Sequence, residues 1–174
     1  MRRLLAALGV FIMIAIGPAL ARPAEVGLVL PAAQMVGQAS YEVLAVRLFN
    51  AELWADGGAF AWERPFALSL TYERSARATT LLNRSIREMS GRGAGSARAL
   101  APLRAQLARC LPDVARGDRI TGVSTGADTA RFYHNGAHRC DVRWPGFRRH
   151  FFGIWLAGRD GAAARLSAQL RGDA

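Results

Sequence analysis

The sequence contains no lysine, so all 23 of its strong bases are arginine, and against 13 acidic residues they leave a formal net charge of +10. The arginines are scattered rather than set in a stripe with interleaved aromatics, which argues against a nucleic-acid partner. What such charge favours is a solvated surface, an anionic membrane surface or an acidic ligand. Cysteine is scarce, with Cys110 and Cys140 alone in the chain. No cysteine closely follows the early apolar run, which disfavours lipid attachment, and no Cys-x-x-Cys-His run is present to attach a c-type haem. No serine or cysteine stands in a recognisable nucleophile motif, and no glycine-rich loop follows a strand and opens a helix to cradle phosphate. Internal repeats and low-complexity tracts are absent. The apolar run Leu4 to Ile16 is too short for a bilayer, whose hydrocarbon core needs roughly 20 helical residues.

What that run does fit is an export signal. Arg2 and Arg3 precede it, and Ala19-Leu20-Ala21 supplies the small-x-small site a signal peptidase accepts. Residues 1–21 are therefore expected to be a signal peptide and residues 22–174 one secreted or periplasmic domain, with no transmembrane segment after cleavage. That length supports a core without staples. In an oxidising compartment Cys110 and Cys140 either form a bridge or remain two buried thiols. A bridge would tie the end of one helix to a later strand and stabilise by about 3 to 4 kcal/mol in the loop-entropy view.

Along the expected mature chain, Val26 to Leu30 is a short apolar run and Ser40 to Trp54 a long strand-like stretch, broken at Asp56-Gly57-Gly58. Phe66 to Glu73 alternates with period two, placing Phe66, Leu68, Leu70 and Tyr72 on one face. Ser75 can cap a helix carrying Leu82, Ile86 and Met89, which Gly91 stops. A second helix over Ala97 to Leu111 carries Leu100, Leu103 and Leu107, with Pro102 in its first turn. Strands follow at Arg119 to Ser124 and Thr129 to His134, and Asn135-Gly136 is a tight-turn signal leading into a strand at Ala137 to Val142. Phe147, Phe151 and Trp155 then repeat on one helical face, and a last helix carries Leu166 and Leu170. Strands, two helices, strands, two helices is an α+β order: an antiparallel sheet with helices gathered on one face.

Five segments in this order resemble the chalcone isomerase-like family. They are Val46-Arg47-Leu48-Phe49-Asn50-Ala51-Glu52-Leu53-Trp54, Ala67-Leu68-Ser69-Leu70-Thr71-Tyr72, Pro112-Asp113-Val114 with Gly117-Asp118, Phe132-Tyr133-His134-Asn135-Gly136, and Phe151-Phe152-Gly153-Ile154-Trp155-Leu156. The resemblance implies an open-faced antiparallel sheet of about six or seven strands, covered by helices, with a hydrophobic cleft between the layers. It also implies one of several functions, because members of the family either isomerise chalcones, bind fatty acids or modulate partners. The enzymes' arginine falls at Tyr41 and their threonine at Phe49, so neither charge nor hydroxyl is kept for stabilising the reacting oxygen. The fatty-acid binders anchor a carboxylate with that arginine and a later tyrosine, which falls at Trp54. Arg47 shares strand parity with Tyr41 and Phe49 and is the candidate substitute clamp.

The expectation is a non-catalytic domain holding a lipophilic, fatty-acid-like molecule, with Tyr41, Arg47, Phe49, Trp54 and Tyr72 lining its site and no catalytic residue assigned. The alternatives are an isomerase of chalcone-isomerase type with a different residue set, or an envelope interaction module whose cleft is incidental. His134, His138 and His150 complete no metal-ligand spacing, so no metal is expected. Haem is the one cofactor an apolar pocket with a stray histidine or tyrosine would suit, and otherwise none is expected. Asp113 and Asp118 sit in a turn, where aspartate more often bonds backbone than works as an acid–base pair. Phe147, Phe151 and Trp155 read as core before they read as binding surface.

Overall fold

Apolar residues at every second position of consecutive segments build one sheet, shown by a computed structural model that describes residues 21–173. The expected signal peptide, apart from Ala21, lies outside the described residues. Six strands run antiparallel in sequential order: β1 (Ala33–Val43), β2 (Val46–Asp56), β3 (Phe66–Tyr72), β4 (Arg119–Ser124), β5 (Thr129–His134) and β6 (Ala137–Arg143). The helices are α1 (Ala24–Val29), α2 (Ala78–Gly91), α3 (Ala101–Cys110), α4 (Gly153–Leu156), entered through a π-helical turn at Arg148–Phe152, and α5 (Gly161–Arg171). No helix among the described residues is long and apolar enough to cross a membrane.

The long stretch Ser40 to Trp54 is not a single strand. The chain reverses at Leu44-Ala45, whose φ values of 50° and 61° are the pair a two-residue hairpin turn demands. Asparagine and glycine are the usual occupants, and holding leucine and alanine left-handed costs about 1 kcal/mol or more each. The turn at Asn135-Gly136, with φ of 49° and 85°, carries the expected residues and falls where it was expected.

On the front face Leu53, Phe66, Leu68, Leu70, Ile120 and Phe132 pack against α2, α3, the π-helical turn, α4 and α5. Two glycines permit the closest approaches. A Cβ at Gly37 would collide with the Gln169 and Leu170 carbonyls of α5, and one at Gly122 would lie 3.1 Å from the Phe152 ring. Cys110, the last residue of α3, is disulfide-bonded to Cys140 on β6, with Cα atoms 5.3 Å apart. Arg148 is 5% exposed and carries no ion pair among the described residues; it donates to the Ser124 hydroxyl (2.7 Å) and the Trp62 carbonyl (2.7 Å), tying the loop after β2 to β4. The N-terminus of α2 is capped not by Ser75 but by Asp113, whose Oδ1 accepts from the Ala78 amide at 2.7 Å. Asp118 likewise accepts from the Ala115 amide (2.8 Å) and the Asn135 side chain (2.9 Å).

The run Val26 to Leu30 lies in and just after α1, a short helix on the back of the sheet covering Trp54, Ala67, Val123 and Tyr133. A helix this short is not stable alone, and a buried ion pair fixes it. Glu25, 1% exposed, accepts from Arg119 at 3.0 and 3.1 Å and from Thr121 at 2.8 Å, and Thr121 in turn meets Ser69 at 3.0 Å. Burial pushes the Glu25 carboxyl up, but the Arg119 bonds, with those from backbone and Thr121, more than offset it and hold it below its ordinary value of 4.5. A lowered folded-state pKa contributes stability that is complete above the unfolded value and is lost as pH falls through the folded one. The α1 amides are therefore expected to stay protected from hydrogen exchange at about pH 6 and to lose protection below pH 4.5 before the sheet does. Glu25→Gln is expected to remove that acid dependence; unchanged acid exchange in the variant would contradict the assignment.

Candidate ligand-binding cleft

Strand parity that fills the core also leaves a hollow at one end of it. Between the front of β2–β5 and the helices lies a cavity of about 380 Å³, within the roughly 300–1,000 Å³ range of small-molecule sites. Its floor is Phe49, Leu68, Leu70, Tyr72, Ile120, Gly122 and Phe132. Its roof is Leu81, Ser85, Glu88 and Arg92 of α2, then Phe151, Phe152, Ile154 and Trp155, and Ala163 and Leu166 of α5.

Three of the five expected lining residues meet in one row. Tyr41, Phe49 and Tyr72 stand directly opposite one another on β1, β2 and β3. The Tyr41 and Phe49 rings stack at 5.2 Å, and Phe49 meets Tyr72 at 6.2 Å. Tyr72 is 8% exposed, and burial pushes its phenol well above the ordinary tyrosine range, so it stays a neutral donor. Its hydroxyl has no hydrogen-bond partner among the described residues and opens on the cavity, while the Tyr72 backbone amide donates to the Asp118 carbonyl at 2.8 Å.

The other two expected lining residues lie elsewhere. Arg47 points to solvent near the hairpin tip, where its side chain is 53% exposed and pairs with Glu42 at 3.1 Å. It has the front-face parity, but β2 extends beyond the helices there. Trp54 is 3% exposed on the back of the sheet beneath α1, because it sits an odd number of residues from Phe49 and so faces the opposite way.

Arginine enters the cleft from α2 instead. Arg84 Nη2 lies 3.5 Å from the Tyr41 hydroxyl and 3.9 Å from Glu88, while its side chain remains 59% exposed at the rim. Arg92 donates to the Ala157 (3.0 Å) and Ile154 (3.4 Å) carbonyls, leaving a buried Nε with no partner. The sequence reading missed this face. Its signal was a second stripe on α2, Leu81, Ser85, Glu88 and Arg92, beside the apolar stripe of Leu82, Ile86 and Met89.

Phe147 is fully buried core, whereas Phe151 and Trp155 also line the cavity. None of the three histidines lines it, so a haem there would have to draw its axial oxygen from Tyr41 or Tyr72. His134 lies 3.6 Å from Asp118 and His138 3.0 Å from Asp141. Among the described residues no group of three histidine, cysteine or carboxylate side chains could hold a metal ion.

No protein-family model matches the sequence, and a comparison with curated protein sequences returns no match. Among solved structures the fold is similar to that of the Arabidopsis thaliana fatty-acid binding protein, with a TM-score of 0.64 over 82% of this chain and 88% of that one at 8% identity. At that identity the likeness speaks to the fold alone: an α+β, six-stranded antiparallel open sheet covered by helices, the chalcone isomerase-like architecture.

Proposed function

We propose that the chain is an exported, non-catalytic binding protein that holds an amphipathic lipophile, its apolar body in the sheet–helix cleft and its polar head at the Tyr72–Arg84 end. The observation that carries this reading is the Tyr72 hydroxyl, which opens on an apolar cavity from a buried residue and has no protein partner among the described residues. A donor of that kind is free to bond the polar head of a guest, with water taking its place in the empty cleft. The rest of the lining is leucine, isoleucine and phenylalanine, which supplies affinity without specifying chemistry. The fatty-acid ligand named for the Arabidopsis protein of similar fold supports the choice of lipophile.

Absence of catalysis follows from the residues at the two positions where the resemblance places arginine and threonine. Tyr41 and Phe49 stack on one another there, and neither offers a fixed positive charge. Chalcones are expected to close no faster with the protein than in buffer. Export is supported by the Cys110–Cys140 bridge, which an oxidising compartment forms and keeps. Organic extraction of the purified protein followed by mass spectrometry is expected to release a long-chain lipophile in near-equimolar amount. A reproducibly empty cleft across hosts and preparations would count against a carrier.

A further inference from the structure

The β1–β2 hairpin reaches past the rest of the sheet. β2 begins at Val46 but its ladder with β3 begins only at Phe49, with one further bond from the Glu73 amide to the Leu48 carbonyl (2.9 Å), so the arm from Val43 to Arg47 projects by about 7 Å at roughly 3.3 Å per residue. Its tip is apolar and wet: Leu44 is 95% exposed, and Val43 and Val46 are each 41% exposed. Neither packing nor backbone geometry accounts for leucine there, since Leu44 touches no core and its φ of 50° is one that asparagine or glycine would adopt more readily. Such a residue costs the fold and returns nothing to it in water.

The tip adjoins the open end of the cleft. Leu48, at the base of the arm, and Tyr41 and Phe49 behind it line the cavity, as do Arg74, Ser75 and Arg84 across the gap. Arg74 and Arg77 are exposed at this end of the sheet and belong to no ion pair among the described residues, while Arg47 on the arm itself is paired with Glu42, so Arg74 and Arg77 are the cations free to meet headgroups. An apolar finger with arginines set back from it is the arrangement a peripheral protein uses on an anionic bilayer: side chains enter the acyl boundary while cations meet the headgroups.

We propose that the Val43–Val46 tip docks into the surface of an anionic lipid bilayer, setting the Leu48–Arg74 mouth of the cleft against the membrane so that a lipophile passes between them without crossing water. The transfer rests on the carrier reading given above; the docking does not. A second copy of the chain is the rival occupant of the same tip. The charge separates the two, because a chain whose net charge of +10 falls only to +8 on loss of Arg2 and Arg3 with the signal peptide repels its own copy and is drawn to phosphatidylglycerol.

Co-sedimentation of the purified protein with vesicles is the test, comparing equal mixtures of phosphatidylglycerol and phosphatidylcholine with phosphatidylcholine alone. Binding is expected to the anionic vesicles and to weaken by about tenfold or more in Leu44→Asn, a residue that suits the turn and keeps the hairpin folded. Uptake of a fluorescent fatty acid from solution, read in parallel without vesicles, is expected to be the same in both proteins. Equal vesicle binding by the two proteins, or none by either, would overturn the proposal. So would a dimer in the parent that Leu44→Asn dissolves. If neither protein took up fatty acid while vesicle binding still depended on Leu44, the carrier reading would fall and the docking would stand.

Discussion

Tyr72→Phe is expected to leave the empty protein at least as stable and to make its ligand complex weaker. The hydroxyl bonds no protein group among the described residues and opens on the cavity, so removing it breaks no contact of the fold and the melting temperature is expected to hold within about 2 °C or to rise. The same hydroxyl donating to a ligand carboxylate is a charge-assisted bond worth about 1.5–3 kcal/mol, so affinity for a fatty acid falls by roughly tenfold to a hundredfold. Thermal unfolding of the delipidated protein and titration with a fluorescent fatty acid read the two quantities separately. Affinity lost while stability holds marks a residue placed for binding, because a purely structural tyrosine would lose stability when truncated. A drop in both would mean that the hydroxyl serves the fold. The phenol stays neutral across the accessible pH range, so any pH dependence of affinity in the parent does not come from Tyr72.

The largest stability effect is expected at the Cys110–Cys140 bridge, which closes a separation of 30 residues. Opening a loop of that length costs about 3–4 kcal/mol, on the order of 10 °C in melting temperature. The double variant Cys110→Ala with Cys140→Ala should show this loss, and reductant should lower the parent to the same value while leaving the variant unmoved. Cys110 is the C-terminal residue of α3 and Cys140 lies on β6, the edge strand, so reduction loosens the joint between helix layer and sheet edge. If reductant leaves the parent's melting temperature unchanged, the bridge contributes nothing to the fold.

The sheet was legible where local chemistry and tertiary structure agree. Asn135-Gly136 carries positive φ at both turn positions with residues suited to it, and the hairpin it marks was expected. Leu44-Ala45 makes the same turn with residues that give no such signal, and the two strands around it read as one. That error spread to the site. Phe49 and Trp54 sit on the same strand at an odd separation and so on opposite faces; alignment by resemblance placed both in the cleft, while period-two geometry separates them. The helix α1 escaped for another reason: its six residues carry little signal of their own, and what holds them is Glu25 reaching Arg119 and Thr121, far along the chain. Arg84 escaped because a charged residue on an amphipathic helix ordinarily faces water, and only the position of α2 over Tyr41 brings it to the rim. Tyr41, Phe49 and Tyr72 were named from sequence, and the ladder that aligns them across three strands belongs to the hairpin register.

The cleft itself is tested most directly by filling it. Ser85 faces the cavity from α2 and is 8% exposed, so Ser85→Leu occupies guest space with apolar atoms. Calorimetric titration of the delipidated protein with saturated fatty acids of increasing chain length is expected to show one site whose affinity rises with each methylene up to the length the cavity holds. It is also expected to show that affinity falling in Ser85→Leu while the melting temperature holds or rises. One-site binding equally tight in the filled protein, or no binding by the parent, would contradict the account.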